Sequence, residues 1–140
     1  MNGLEQLVLN RVMCLECGEV LTSYHRHDYK TCSCTNATMV DGGLDYQRYG
    51  GMDMLKVDRS PSVYLSTDPE DHSKMRASFH WGSYGKDGDQ PVRWMTPSEM
   101  SNEHVENIIK NLGHRLAPWT LKLFERELEY RKQHNILIQD

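Results

Sequence analysis

No apolar run in the sequence is long enough for a membrane span, which argues against a helical membrane segment. An excess of positive charge is also missing. Lys and Arg number 16 against 20 Asp and Glu, for a net charge of −4. With a pI near 6.0, this speaks against a protein that coats nucleic acid electrostatically. The opening MNGLEQLVLNR has neither the basic n-region nor the continuous apolar h-region of a signal peptide, so a cytosolic chain is expected. Several catalytic signatures are missing too. There is no G-x-S-x-G, no H-E-x-x-H or H-x-x-E-H, and no glycine-rich dinucleotide fingerprint. The glycines around Gly85-Lys86-Asp87-Gly88 lack the strand–loop–helix setting and lysine of a phosphate loop, and read as a turn. Apolar residues are sparse, with 38% hydrophobic content and a mean hydropathy of −0.70. Such a chain has a large surface, or a face that a partner covers.

What the sequence does have is one concentrated cluster. All four cysteines, Cys14, Cys17, Cys32 and Cys34, fall in the stretch from Met13 to Tyr49. The spacing is C-x2-C, fourteen residues, then C-x-C. Two close thiol pairs separated by a hairpin-length insert fit a tetrahedral Zn²⁺ site. In a reducing cytosol metal binding is favoured over disulfides. A redox C-x-x-C would sit in a thioredoxin-like βαβ pattern, which does not surround these residues. Four thiolates leave no open position for water, so the zinc is expected to be structural. Cys14-Leu15-Glu16-Cys17-Gly18 reads as a knuckle whose backbone N–H groups point at the first thiolate.

An α+β fold in three parts is expected: a zinc ribbon over 1–50, a loop or linker over 51–75, and a β-hairpin packed with two C-terminal helices over 76–140. In the ribbon, Leu4, Leu7 and Val8 allow either a helical turn or a first strand. Short strands are expected at Val20–Leu21, Tyr29–Thr31 and Thr38–Val40, and Asp41-Gly42-Gly43 is a turn signal. Residues 51–75 mix Gly, Pro, Ser and Asp. The hairpin is read from Arg76–Tyr84 and Pro91–Met95. Thr96-Pro97-Ser98-Glu99 carries a capping box, and Ser101 caps a helix that Gly113 ends. A last helix runs from Pro118 to about His134, with Leu121, Phe124 and Leu128 as its apolar stripe. Glu125, Glu127, Glu129, Arg126, Arg131 and Lys132 read as its solvated face. The apolar tail Ile136-Leu137-Ile138 is expected to dock.

His25, His27 and Asp28 form a second polar cluster, which Asp41 or Asp45 could join. It reads either as a ribbon tip that supports the zinc thiolates or the Asp41–Gly43 turn, or as a second metal or acid/base site. The remaining histidines (His72, His80, His104, His114, His134) are scattered. Phe79, Trp81, Tyr84 and Trp94 could stack bases. With few cations nearby they read better as core or protein interface.

The stretch Cys14–Tyr49 resembles a small zinc-ribbon family of bacteriophage proteins. The resemblance is carried by Cys14-x-x-Cys17-Gly18, His25-Arg26-His27-Asp28, Cys32-x-Cys34, Asp41-Gly42-Gly43, Asp45-Tyr46 and Arg48. One departure is Thr35, where such ribbons commonly have glycine after the last cysteine. Gly82–Ile109 is similar to a second phage module. The resemblance implies a phage origin and the cytoplasm of a bacterial host cell, and brings no enzyme activity with it. The function expected is a non-catalytic accessory protein working through protein contacts. Its partners would be further copies of itself (a homo-oligomer, possibly closed into a ring) or a bacterial host or defence protein. A nucleic-acid-binding ribbon and a metal-dependent nuclease built on His25, His27 and Asp28 are the rival readings.

Overall fold

The computed structural model describes residues 4–44, 46–85 and 87–139. Asp45 and Lys86, both singled out above, lie outside the described residues. The fold is α+β, and the chain divides into two compact units. One is Glu5–Leu65; the other begins at Ser66 and takes in Leu4.

In the first unit, the lead-in resolves as a strand. β1 (Gln6–Cys14) alternates little and is buried along most of its length, because it is paired on both sides. β2 (Val20–Ser23) pairs with Asn10–Met13 of β1, antiparallel. β3 (Lys30–Thr31), β4 (Met39–Gly43) and β5 (Tyr46–Gly50) form a second antiparallel sheet. β6 (Val57–Asp58) and β7 (Val63–Leu65) return to β1, pairing with its C-terminal and N-terminal parts respectively.

Two sequence expectations are corrected here. Asp41-Gly42-Gly43 is not the turn itself but the end of β4, paired with Tyr46–Arg48. Gly42 is required because its φ is +97° and a Cβ would collide with the Tyr46 carbonyl. Residues 51–75 are not a linker. Met54–Lys56 form a 3₁₀ turn capped by Asp53, β6 and β7 add to the first sheet, and the unit boundary falls at Leu65. Short apolar words such as Val57 and Val63–Leu65 look loop-like in sequence. They fold because β1 leaves an edge for them.

Around the thiols the buried cluster is small: Val12, Leu21 and Val40 with the sulfurs of Cys14 and Cys32, flanked by Cys34 and Val57; Leu7, Val8, Leu9 and Leu65 are also buried, along β1 and β7. Thiols thus occupy positions that apolar side chains would fill in a larger domain.

The second unit holds α1 (His72–Ser78), the hairpin β8 (Trp81–Ser83) and β9 (Arg93–Met95), α2 (Asn102–Leu112) and α3 (Pro118–His134). The hairpin is shorter than expected, since Arg76–Ser78 are helical rather than extended. Thr96 and Glu99 make the expected capping box around a 3₁₀ turn, and Ser101 accepts from the His104 N–H to cap α2. Asn135 closes α3 in the left-handed region (φ 54°). Phe124 is the centre of the core, edge-on to both Phe79 and Trp81. The tail docks as expected: Ile138 exchanges backbone hydrogen bonds with the backbone and side chain of Asn102.

The buried face of α3 shares Phe124 with the expected stripe, whereas Leu121 and Leu128 are half-buried. That face is Thr120, Leu123, Phe124, Glu127 and Arg131. Glu127 and Arg131, expected in solvent, are 0% and 2% exposed. Among the described residues, no helix is long and apolar enough to cross a membrane.

Candidate metal centre

Cys14 ends β1, and the chain then reverses through a knuckle. The Gly18 N–H donates to the Cys14 carbonyl at 2.7 Å, and the Cys14 N–H donates to the Glu19 carbonyl at 2.9 Å. Gly18 takes φ +78°, as the expected reversal needs. The backbone amides of Cys17 and Glu16 point at the Cys14 sulfur, the Glu19 amide at that of Cys17, and the Asn36 amide at that of Cys34. The second knuckle closes with Cys32 N–H on the Thr38 carbonyl and Ala37 N–H on the Cys34 carbonyl, both at 3.0 Å. With Thr35 in place of glycine, the left-handed residue is Ala37, at φ 48°.

These two turns bring the four thiols together. All four sulfurs lie within 4.8 Å of one another. Cys34 is 3.5 Å from Cys14 and 3.4 Å from Cys32. A tetrahedral ion with bonds of about 2.3 Å to sulfur separates its ligands by roughly 3.8 Å, so the cluster has the dimensions of a four-thiolate site. All four cysteines are free thiols, with Cys14 and Cys32 buried and Cys17 exposed.

The four thiols do not share one electrostatic setting. Cys14 is lowered to about 6, first by the Thr38 hydroxyl and then by the Cys17 amide, against the effect of burial. Cys34 is pushed up to about 12 by burial and by the Cys32 thiol. The Glu19 amide lowers Cys17, yet loss of solvent and its thiol neighbours leave it raised overall. The surroundings thus favour the thiolate of Cys14 and oppose those of Cys17 and Cys34, and a divalent ion bound by the sulfurs would favour thiolates throughout.

Sequence reasoning missed the residues that steady these sulfurs. Thr38 is fully buried, and its hydroxyl accepts from Asn36 Nδ2 at 2.8 Å while it reaches Cys14. Asn36 also accepts the Asp53 N–H on Oδ1 and the Met52 N–H on its carbonyl, both at 2.8 Å. The available signal was Asn36-Ala37-Thr38, one residue beyond Cys34 and just ahead of a strand.

The His25–Asp28 tip is a separate place. Asp28 Oδ2 accepts the Tyr24 N–H at 2.9 Å and Lys30 Nζ at 3.3 Å. His25 Nδ1 is 3.0 Å from the Arg26 carbonyl. His27, at φ 65°, lies with its ring 5.6 Å from that of Tyr46. Asp41, 2% exposed, accepts from Arg48 at 2.6 Å. Ser23 ties the tip to β4, with its hydroxyl 2.7 Å from the Asp28 carbonyl while it accepts the Gly42 N–H at 2.9 Å. Among the described residues, the four cysteines are the only group of three or more His, Cys, Asp or Glu able to hold one ion. The two carboxylates of the tip region are turned toward Lys30 and Arg48.

In the second unit, Glu127 receives hydrogen bonds from His72 (2.8 Å), Arg76 (2.9 Å to each oxygen) and Arg131 (2.6 Å). Arg131 goes on to Asn102 and to the carbonyls of Pro97 and Met100. The partners close the network on all sides, so it organises the fold around α3. The scattered histidines gave no sign that one of them, His72, belongs to it.

Residues 6–51 match a family described as a domain of unknown function (DUF7695). The match covers both knuckles, the tip and the β4–β5 hairpin. No curated protein and no solved structure matches the chain.

Proposed function

We propose that the chain is a non-catalytic accessory protein of bacteriophage origin, acting through protein contacts in the cytoplasm of a bacterial host, with a zinc ribbon as its first unit. The observation that carries the metal assignment is the donor set: four thiols within 4.8 Å and no other kind of donor. All-sulfur tetrahedral donation suits Zn²⁺ and leaves no position for an activated water, so the ion is structural. Binding then stabilises a unit whose apolar cluster around the thiols is small. Elemental analysis is expected to find one zinc per chain, lost on Cys32→Ser. A metal-free chain with its thiols paired as disulfides would contradict this.

Protein contact is supported by apolar side chains left in solvent at the metal end. Leu15 donates its N–H to the Lys56 carbonyl, which sets it beside the 54–56 turn. Leu15, Met52, Met54 and Leu55 are 55%, 83%, 51% and 88% exposed. Grouped exposure of this kind marks interaction surfaces more often than ordinary surface does. The first partner to test is a second copy, as a homo-oligomer. Light scattering at micromolar concentration should show a mass above the monomer that Leu55→Lys reduces. A monomer in both cases would remove self-association and leave a host or defence protein as the partner.

A further inference from the structure

We propose that Arg59, Tyr49 and Tyr64, all in the first unit, form a contact site for single-stranded nucleic acid. Arg59 would take a backbone phosphate and the two tyrosine rings would take bases. This goes beyond the function proposed above and does not depend on it.

The guanidinium of Arg59 is held in place by uncharged groups. It lies 3.9 Å over the ring centroid of Tyr49. Its Nη2 donates to the Tyr64 hydroxyl at 3.3 Å, and its Nη1 donates to Asn10 Oδ1 at 2.6 Å. Asn10 is fully buried in the middle of β1, and its Nδ2 is fixed by the carbonyls of Asp41, Gly42 and Arg48. A buried amide is thus anchored to three carbonyls and presents its oxygen to one arginine. Elsewhere in the unit, Lys30, Arg48 and Lys56 pair with carboxylates, whereas Arg11 and Arg26 have no ion pair among the described residues. Among the described residues, no carboxylate forms an ion pair with Arg59. The result is a preorganised fork with N–H groups to spare and its charge unneutralised, which suits a phosphate.

The rings beside it are partly open, with Arg59 covering one face of Tyr49. Tyr49 and Tyr64 are 43% and 48% exposed. They belong to a wider pattern, because Arg26 and Arg48 lie 5.2 and 5.9 Å from the Tyr46 ring, and Lys30 lies 5.4 Å from Tyr24. Four cation–ring pairs thus fall within Glu5–Leu65, where about one per 70–80 residues is usual. Interleaved cations and open ring faces are what sequence-tolerant single-strand binders use. An acidic peptide would engage the arginine and leave the ring faces idle. A duplex keeps its bases stacked on one another. Because the chain carries a net −4, long-range steering is absent and the site works at contact distance.

The test is fluorescence anisotropy of labelled oligo-dT and oligo-rU with the full, zinc-loaded chain. Saturable binding is expected, with a log K against log salt slope of about −0.7 to −2, the signature of one to three phosphates. Arg59→Ala should weaken it at least about 10-fold, and Arg59→Lys, which keeps the charge but loses the fork, should also weaken it. Tyr64→Leu should weaken it about 5-fold or more, while Trp94→Ala in the second unit should not change it. Zinc content of each variant reports that the first unit is intact. No binding at low salt, wild-type affinity for Arg59→Lys, or equally effective competition by polyglutamate would each overturn the proposal.

Discussion

Side chains that look unremarkable in sequence carry much of this structure. Thr38 is one. Its buried hydroxyl bridges Asn36 and the Cys14 sulfur, and groups that orient a metal ligand typically contribute 10–100-fold to affinity. Thr38→Val keeps the volume and removes the hydroxyl. Its zinc affinity, measured by chelator competition, is expected to fall about 10-fold; an unchanged affinity would show that Thr38 only fills space. Glu127 is another. Burial works to raise its pKa, but hydrogen bonds from His72, Arg76 and Arg131 outweigh that and hold it at about 2, below the ordinary 4.5. The unfolded chain therefore takes up the proton first as pH falls. The stabilisation is complete above about pH 4.5 and is lost as pH drops toward about 2, an effect of about 3 kcal/mol. All three tryptophans, Trp81, Trp94 and Trp119, lie in the second unit. Urea midpoints followed by tryptophan emission should therefore fall with pH through that window, and Glu127→Gln should flatten the dependence. At neutral pH that change leaves buried cations without their anion, at an expected cost of about 3–5 kcal/mol.

The elements show which features the sequence made legible. The first cysteine knuckle was readable because spacing fixes it: two residues between ligands, a glycine after the pair, and amides aimed at sulfur all follow from local geometry. The helices α2 and α3 were readable from Ser101, Gly113 and Pro118, which act within one turn. The face of α3 was not. Glu127 and Arg131 are charged, and partners distant in sequence make their burial tolerable: His72 and Arg76 for Glu127, and Asn102 with the Pro97 and Met100 carbonyls for Arg131. No local signal reports a partner fifty-five residues away in sequence. The strands β6 and β7 were hidden for a similar reason, since two- and three-residue strands exist only where β1 leaves an edge for them. Gly42 lies between these cases. It was noticed as a turn residue, but it serves inside β4, where a side chain would meet the Tyr46 carbonyl. Gly42→Ala is expected to destabilise the zinc-loaded first unit by more than about 1 kcal/mol in denaturant titrations followed by circular dichroism. A neutral result would mean that the β4–β5 hairpin relaxes without cost.

At the scale of the whole molecule, the two units are built on different physics. The second has an aromatic and aliphatic core around Phe124, reinforced by the Glu127 network. The first buries seven aliphatic side chains and two sulfurs, with three of the aliphatics packed around the thiols. The apolar cluster around the thiols is small, and the proposed thiolate–metal bonds are expected to supply much of the stability of Glu5–Leu65. Chelation followed by heteronuclear NMR tests this most directly. On removal of the metal, the amide signals of Glu5–Leu65 should collapse toward unfolded positions while the tryptophan indole signals keep their dispersion. One equivalent of Zn²⁺ should restore the original spectrum. A first unit whose signals stay in place without metal would contradict the account.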